Sequence, residues 1–134
     1  MDKKDAPTTR LQAIKIAIEG IRHVIVTQPN AKIHGVFTLA VFIAAGFLKL
    51  PRLEWIILFL TVGLVWAAEV FNTAIEFVVD FISPGFDPKA KIIKDVSAGA
   101  VLICVLISVM VGLLVFGPYL WKWIVSLFYL SVWK

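Results

Sequence analysis

Three apolar runs set the limits on what this chain can fold into. They lie at about Ile33–Leu50, from Trp55 up to Glu69, and at about Val96–Tyr119, and their interiors carry almost no charge. A bilayer core takes about 20 helical residues to cross. With no water there to satisfy backbone groups, helices or closed barrels are the structures that span it. Runs of this length, with no period-two alternation, predict helices. Across 134 residues, 60% are hydrophobic and only 16% charged, and the charges cluster between the runs. A soluble domain carries about a quarter charged residues, dispersed over its surface. The expected fold is all-α: one integral membrane domain over 1–134 with three transmembrane helices.

The segment before the first run follows a different pattern. Leu11, Ile14, Ile18, Ile21 and Ile25 recur at steps of three and four, with Gln12, Lys15, Glu19, Arg22 and His23 between them. This predicts an N-terminal amphipathic surface helix over 8–29 that lies along the membrane. Thr8 or Thr9 suits its cap, and Pro29 follows its end. Membrane helices are expected over 33–50, 54–80 and 91–118. Pro51 and Arg52 form a tight turn, and Pro84, Gly85 and Pro88 mark a loop. Lys32 and Lys49 are placed to snorkel at the edges of the first span. The tail 119–134, with Trp121, Trp123 and Trp133 beside Lys122 and Lys134, reads as an interfacial segment. The opening MDKKDAPTTR does not read as a secretory signal, which would place a short apolar core directly after its basic residues.

Charge distribution narrows the function classes. The net charge is +4, but the basic residues flank the apolar runs as membrane anchors do, which argues against a nucleic-acid surface. The N-terminal segment and the 81–95 loop fall on one side of the membrane. They hold Lys3, Lys4, Arg10, Lys15, Arg22, Lys32, Lys89, Lys91 and Lys94, against Lys49, Arg52, Lys122 and Lys134 opposite. The richer side is expected to be cytoplasmic. Cys104 is the only cysteine, so neither an intrachain disulfide nor a cysteine metal cluster is available. It reads as a small packing residue.

The chemistry concentrates at the end of the second run. Glu69, Asn72, Thr73, Glu76 and Asp80 fall on one stripe of a helix. Carboxylates within a membrane helix cost roughly 2.5–3.5 kcal/mol each near the bilayer centre and mark functional positions. Lys94 and Asp95 open the next helix, close enough for the loop to fold them against this stripe. Carboxylates that hold Mg²⁺, lysine that neutralises phosphate and a carboxylate left to activate a hydroxyl make up a phosphoryl-transfer site. The same spacing also suits an interhelical salt bridge, or a proton or cation pathway. No Walker A loop, GxGxxG or HRD-type loop is present, which excludes a soluble kinase fold.

EVFNTAIEFVVD, Glu69 to Asp80, closely resembles the E-x-[aliphatic]-N-[ST]-[SA]-[aliphatic]-E-x-x-V-D signature of the small prokaryotic diacylglycerol and undecaprenol kinases, departing at Phe71. KDVSAGAVL from Lys94 resembles the family's second block, and GIRHVIVTQPNAKIHG its N-terminal block. The likeness covers about residues 10–118. It implies a homotrimer with shared sites, MgATP as phosphoryl donor and a membrane lipid alcohol as acceptor. It further implies Glu69 as general base, Glu76 as a Mg²⁺ ligand, Asn72 as a positioning residue and Lys94 as a phosphate contact. Asp80 and Asp95 would support the nucleotide end. At Gln28 many members carry a glutamate that helps hold Mg²⁺; a neutral amide oxygen still coordinates but adds no charge.

The leading expectation is therefore ATP- and Mg²⁺-dependent phosphorylation of undecaprenol or diacylglycerol in lipid recycling. His34 and the AGAVL run resemble undecaprenol kinases of Gram-positive bacteria. Two other readings stand beside it: a catalytically weakened relative, with Gln28 as its sign, and a small ion- or proton-conducting protein using the Glu69–Glu76 stripe.

Overall fold

The computed structural model describes residues 9–132, with side chains described as far as Ser126. Lys3, Lys4 and the alternative cap Thr8 lie outside the described residues, as do Trp133 and Lys134 of the tail. Among the described residues four helices follow one another: α1 (Arg10–Thr27), α2 (Pro29–Phe47), α3 (Arg52–Ile82) and α4 (Pro88–Val132). No strand occurs among the described residues. Three of the helices are long and apolar enough to cross a membrane, with spans at Pro29–Phe47, Arg52–Ile82 and Pro88–Ser126. The chain is an all-α membrane protein.

Local chemistry explains most of the boundaries. Thr9 closes α1 with a capping box: its hydroxyl accepts from the Gln12 backbone N–H, and the Gln12 side chain accepts from the Thr9 N–H. Pro29 does more than follow α1. It occupies the first position of α2, where its missing N–H costs nothing. Gln28 alone separates the two helices, so α2 starts at the proline and not near Ile33. At the other end of α2, Lys49 takes a left-handed conformation with φ of 52°. The Lys49 N–H bonds to the Gly46 carbonyl and the Leu50 N–H to the Ala45 carbonyl, which closes the helix at Phe47 in a Schellman motif.

The tail continues as helix: α4 passes through Pro118, which forgoes one intrahelical bond. Three side-chain contacts fix α3 and α4 as an antiparallel pair. Tyr119 donates to Glu54, Ser97 to Asn72, and Lys94 to Asp80. Among the described residues these two helices share the largest interface.

The apolar core lies at one end of the bundle. Ala45, Leu50, Leu58 and Val115 are buried there, with Phe42, Trp55 and Phe116 packed against them. The Phe42 ring lies 4.7 Å from Phe59 and 5.9 Å from Trp55 between centroids. The other end is polar, and α1 lies across it, its His23 ring 5.6 Å from Phe77 of α3. Leu11, Ile14, Ile18, Ile21 and Ile25, the apolar set of α1, are all exposed in the single chain. Ile21 and Ile25 border a shallow apolar groove against Trp66, Val70 and Phe71 of α3, while Leu11, Ile14 and Ile18 are more exposed.

Candidate active site

The polar stripe of α3 runs from the bundle interior outward. Glu69 is 1% exposed, Asn72 and Thr73 are buried, Glu76 is half-buried, and the Asp80 side chain is 61% exposed. The helix period sets the order: each step of three or four residues keeps the face and climbs one turn. Thr73 turns its hydroxyl back to the Glu69 carbonyl at 2.9 Å, which satisfies it within its own helix. Thr73 is thereby occupied, and the stripe's remaining chemistry belongs to its carboxylates.

Asn72 stands at the centre of a hydrogen-bonded chain between two helices. Its Nδ2 donates to Glu76 Oε1 at 3.0 Å, and its Oδ1 accepts from the Ser97 hydroxyl of α4 at 2.6 Å. The Ser97 oxygen also lies 2.9 Å from the Lys94 carbonyl. This arrangement orients the amide and holds one oxygen of Glu76, leaving the other for a ligand. At the outer end Lys94 forms an ion pair with Asp80, joining α4 to α3 as the sequence allowed. Asp95 stands apart from both: it pairs with Lys91 at 2.5 Å, one turn back on α4, where both side chains are exposed.

Glu69 is the most confined carboxylate among the described residues. Its side chain is 2% exposed, and Oε2 has no hydrogen-bond partner. His34 Nε2, from α2, faces that oxygen at 3.7 Å and is likewise unpartnered. One turn away the Trp66 indole donates to the Thr38 hydroxyl at 3.0 Å, locking α2 against α3 at this level. From His34 a cavity of about 280 Å³ runs down between α2, α3 and α4 past Val41, Leu58, Val62 and Val109 to Phe116. Its walls are almost wholly apolar.

A hard cation fits this site in a restricted way. Among the described residues, no three His, Cys, Asp or Glu side chains converge as a metal cage. Mg²⁺ needs no such cage, since it commonly takes one or two carboxylates together with substrate phosphates and water. Glu76, with one oxygen fixed by Asn72, supplies such a carboxylate. Gln28, half-buried between α1 and α2, makes no side-chain capping bond. His34 and Ser97 are the two neighbours that spacing along the chain did not bring into the site.

The prokaryotic diacylglycerol kinase family model matches residues 15–116. An undecaprenol kinase of Bacillus subtilis is 37% identical over 123 residues, covering 90% of this chain and all of the relative. A diacylglycerol kinase of Synechocystis is 39% identical over 103 residues, covering 76% of this chain and 59% of the relative. A diacylglycerol kinase of Escherichia coli is 28% identical over 102 residues, covering 76% and 84% respectively.

Proposed function

Because the chain belongs to the prokaryotic diacylglycerol kinase family and is a lipid kinase, we propose that it transfers the γ-phosphoryl group of MgATP to the hydroxyl of undecaprenol. The observation that carries this reading is the placement of Glu69. A carboxylate oxygen without a partner is buried in a membrane helix, two turns from the half-exposed Glu76 and beside the head of an apolar cavity. Burying such a group without a task is expensive.

In this mechanism the lipid chain lies along the cavity and its hydroxyl meets Glu69. The carboxylate takes the hydroxyl proton as the oxygen bonds to the γ-phosphorus, and the bond from that phosphorus to the ADP oxygen breaks. Mg²⁺, arriving with the nucleotide, would neutralise phosphate charge; Glu76 would hold it, with the Gln28 amide oxygen as a neutral second ligand. Lys94 exchanges Asp80 for a phosphate oxygen, and Asp80 and Asp95 border the nucleotide. Undecaprenol is favoured over diacylglycerol by the match to the whole length of the Bacillus subtilis enzyme. A homotrimer in the bacterial inner membrane, with the N-terminus and the 81–95 loop cytoplasmic, would cover the apolar face of α1 and complete each site from a neighbour.

The test is transfer of ³²P from [γ-³²P]ATP to a panel of lipid alcohols in detergent. Labelled undecaprenyl monophosphate is the expected product. Label on diacylglycerol alone would reassign the substrate, and label on no lipid would leave the inactive relative or the ion pathway.

A further inference from the structure

His34 sits between the cavity and Glu69, yet nothing in the mechanism above uses it. Its Nε2 and Glu69 Oε2 are two buried polar atoms, each without a hydrogen-bond partner, that face each other at 3.7 Å. That exceeds the upper limit of a hydrogen bond, about 3.2 Å, by roughly half an ångström, which a small side-chain rotation closes. Leaving both atoms unpaired is costly in an apolar setting, whereas one N–H···O bond satisfies both. The juxtaposition is not a loose surface encounter. Thr38 lies one turn from His34 on α2, Trp66 one turn from Glu69 on α3, and the 3.0 Å bond between them fixes the register of the two helices.

We propose that His34 is a positioning residue for the base: its Nε2–H donates to Glu69 Oε2, fixes the orientation of the carboxylate, and leaves Oε1 for the lipid hydroxyl. This rests on Glu69 being the general base. The imidazole also lines the head of the cavity, so one ring both orients the base and borders the place where the hydroxyl enters. A charge-assisted bond of this kind exceeds a neutral one in strength. Its loss corresponds to roughly a 10- to 100-fold fall in rate.

The experiment compares phosphoryl transfer in detergent by wild type, His34→Leu, His34→Gln, His34→Asn, Glu69→Gln and the His34→Leu/Glu69→Gln double variant, with thermal melting of each. The expected result is a kcat roughly 10- to 100-fold lower for His34→Leu at unchanged KM for ATP. The glutamine amide places an N–H where Nε2 stands and recovers most of the rate, while the shorter asparagine does not. In the Glu69→Gln background, His34→Leu costs nothing further. A wild-type kcat in His34→Leu beside an inactive Glu69→Gln overturns the role of His34 and leaves the base intact. Equal loss in the glutamine and leucine variants, or full additivity in the double variant, overturns it too. Turnover retained by Glu69→Gln overturns the base itself, and this inference with it. Should His34→Leu fail to fold, the contrast between glutamine and asparagine decides the matter.

Discussion

The Ser97 hydroxyl of α4 donates to Asn72 Oδ1 of α3 at 2.6 Å, and through Asn72 the contact reaches Glu76. A side chain 25 residues along the chain from Asn72 thus orients, through that amide, the carboxylate that the proposed site gives to Mg²⁺. With Oδ1 engaged by a donor, Nδ2 is the amide atom turned to Glu76. Rotating the amide by half a turn would set Oδ1 against the carboxylate.

Ser97→Ala is expected to lower stability by about 1–3 kcal/mol, because it leaves Asn72 Oδ1 buried without its partner. Thermal melting in detergent measures this. Half-saturating Mg²⁺ should rise as well, since the amide loses the bond that selects its orientation. An unchanged melt and an unchanged Mg²⁺ titration would show that the serine merely fills space. Ser97→Thr keeps the hydroxyl and should retain both properties better.

The Lys94–Asp80 ion pair separates stability from binding. Both side chains retain contact with solvent, Asp80 at 61% exposure, and exposed pairs contribute about 0–1 kcal/mol. Asp80→Asn should therefore shift the melting temperature little. Lys94→Ala should raise the KM for ATP several-fold if Lys94 leaves Asp80 for a phosphate. Steady-state kinetics against ATP checks this; an unchanged KM would confine Lys94 to its structural pairing.

Much of the frame was legible in the sequence because a membrane leaves a chain few alternatives. The three spans followed from run length, and the Asn72–Glu76 contact from a spacing of four. The less legible parts have physical causes. His34 is a single histidine inside an apolar run, 35 residues from Glu69, and no periodicity links the two. Ser97 lies in a small-residue stretch that reads as packing. Lys94 and Asp95 are adjacent in sequence, but a helix turns 100° per residue. Lys94 meets α3 while Asp95 turns to Lys91. Pro29 was legible as a boundary, but its role in opening α2 at once depended on Gln28 ending one helix and beginning the next.

The α2–α3 turn offers a stability test remote from the site. Lys49 adopts a left-handed backbone at φ 52°, a conformation that costs a residue bearing a Cβ roughly 1–2 kcal/mol. Lys49→Gly relieves that strain but adds freedom to the unfolded chain, so the net gain should be about 0.5–1 kcal/mol. Thermal melting should move up with turnover unchanged. A fall in stability would mean that the lysine's anchoring at the membrane edge outweighs the backbone term.

Gln28→Glu tests whether the junction between α1 and α2 belongs to the metal site. Gln28 caps α2 with its backbone and makes no side-chain capping bond. The two helix dipoles offset each other for a carboxylate there, since the N-terminus of α2 favours negative charge and the C-terminus of α1 disfavours it, so the swap should change stability little. If the Gln28 oxygen shares a cation with Glu76, the swap adds a charged ligand to a site otherwise dependent on one. Attraction between opposite charges a few ångströms apart is strong where water is partly excluded. Half-saturating Mg²⁺ at fixed ATP should fall by roughly tenfold, the change that about 1.4 kcal/mol produces. Glu76→Ala should move it the other way, and combining the two should not simply add, because both residues act on one ion. Direct Mn²⁺ binding, followed by its paramagnetic signal, separates metal affinity from turnover. Equal affinities for Gln28→Glu and wild type would place Gln28 outside the metal's coordination and leave Glu76 to act with substrate phosphates alone.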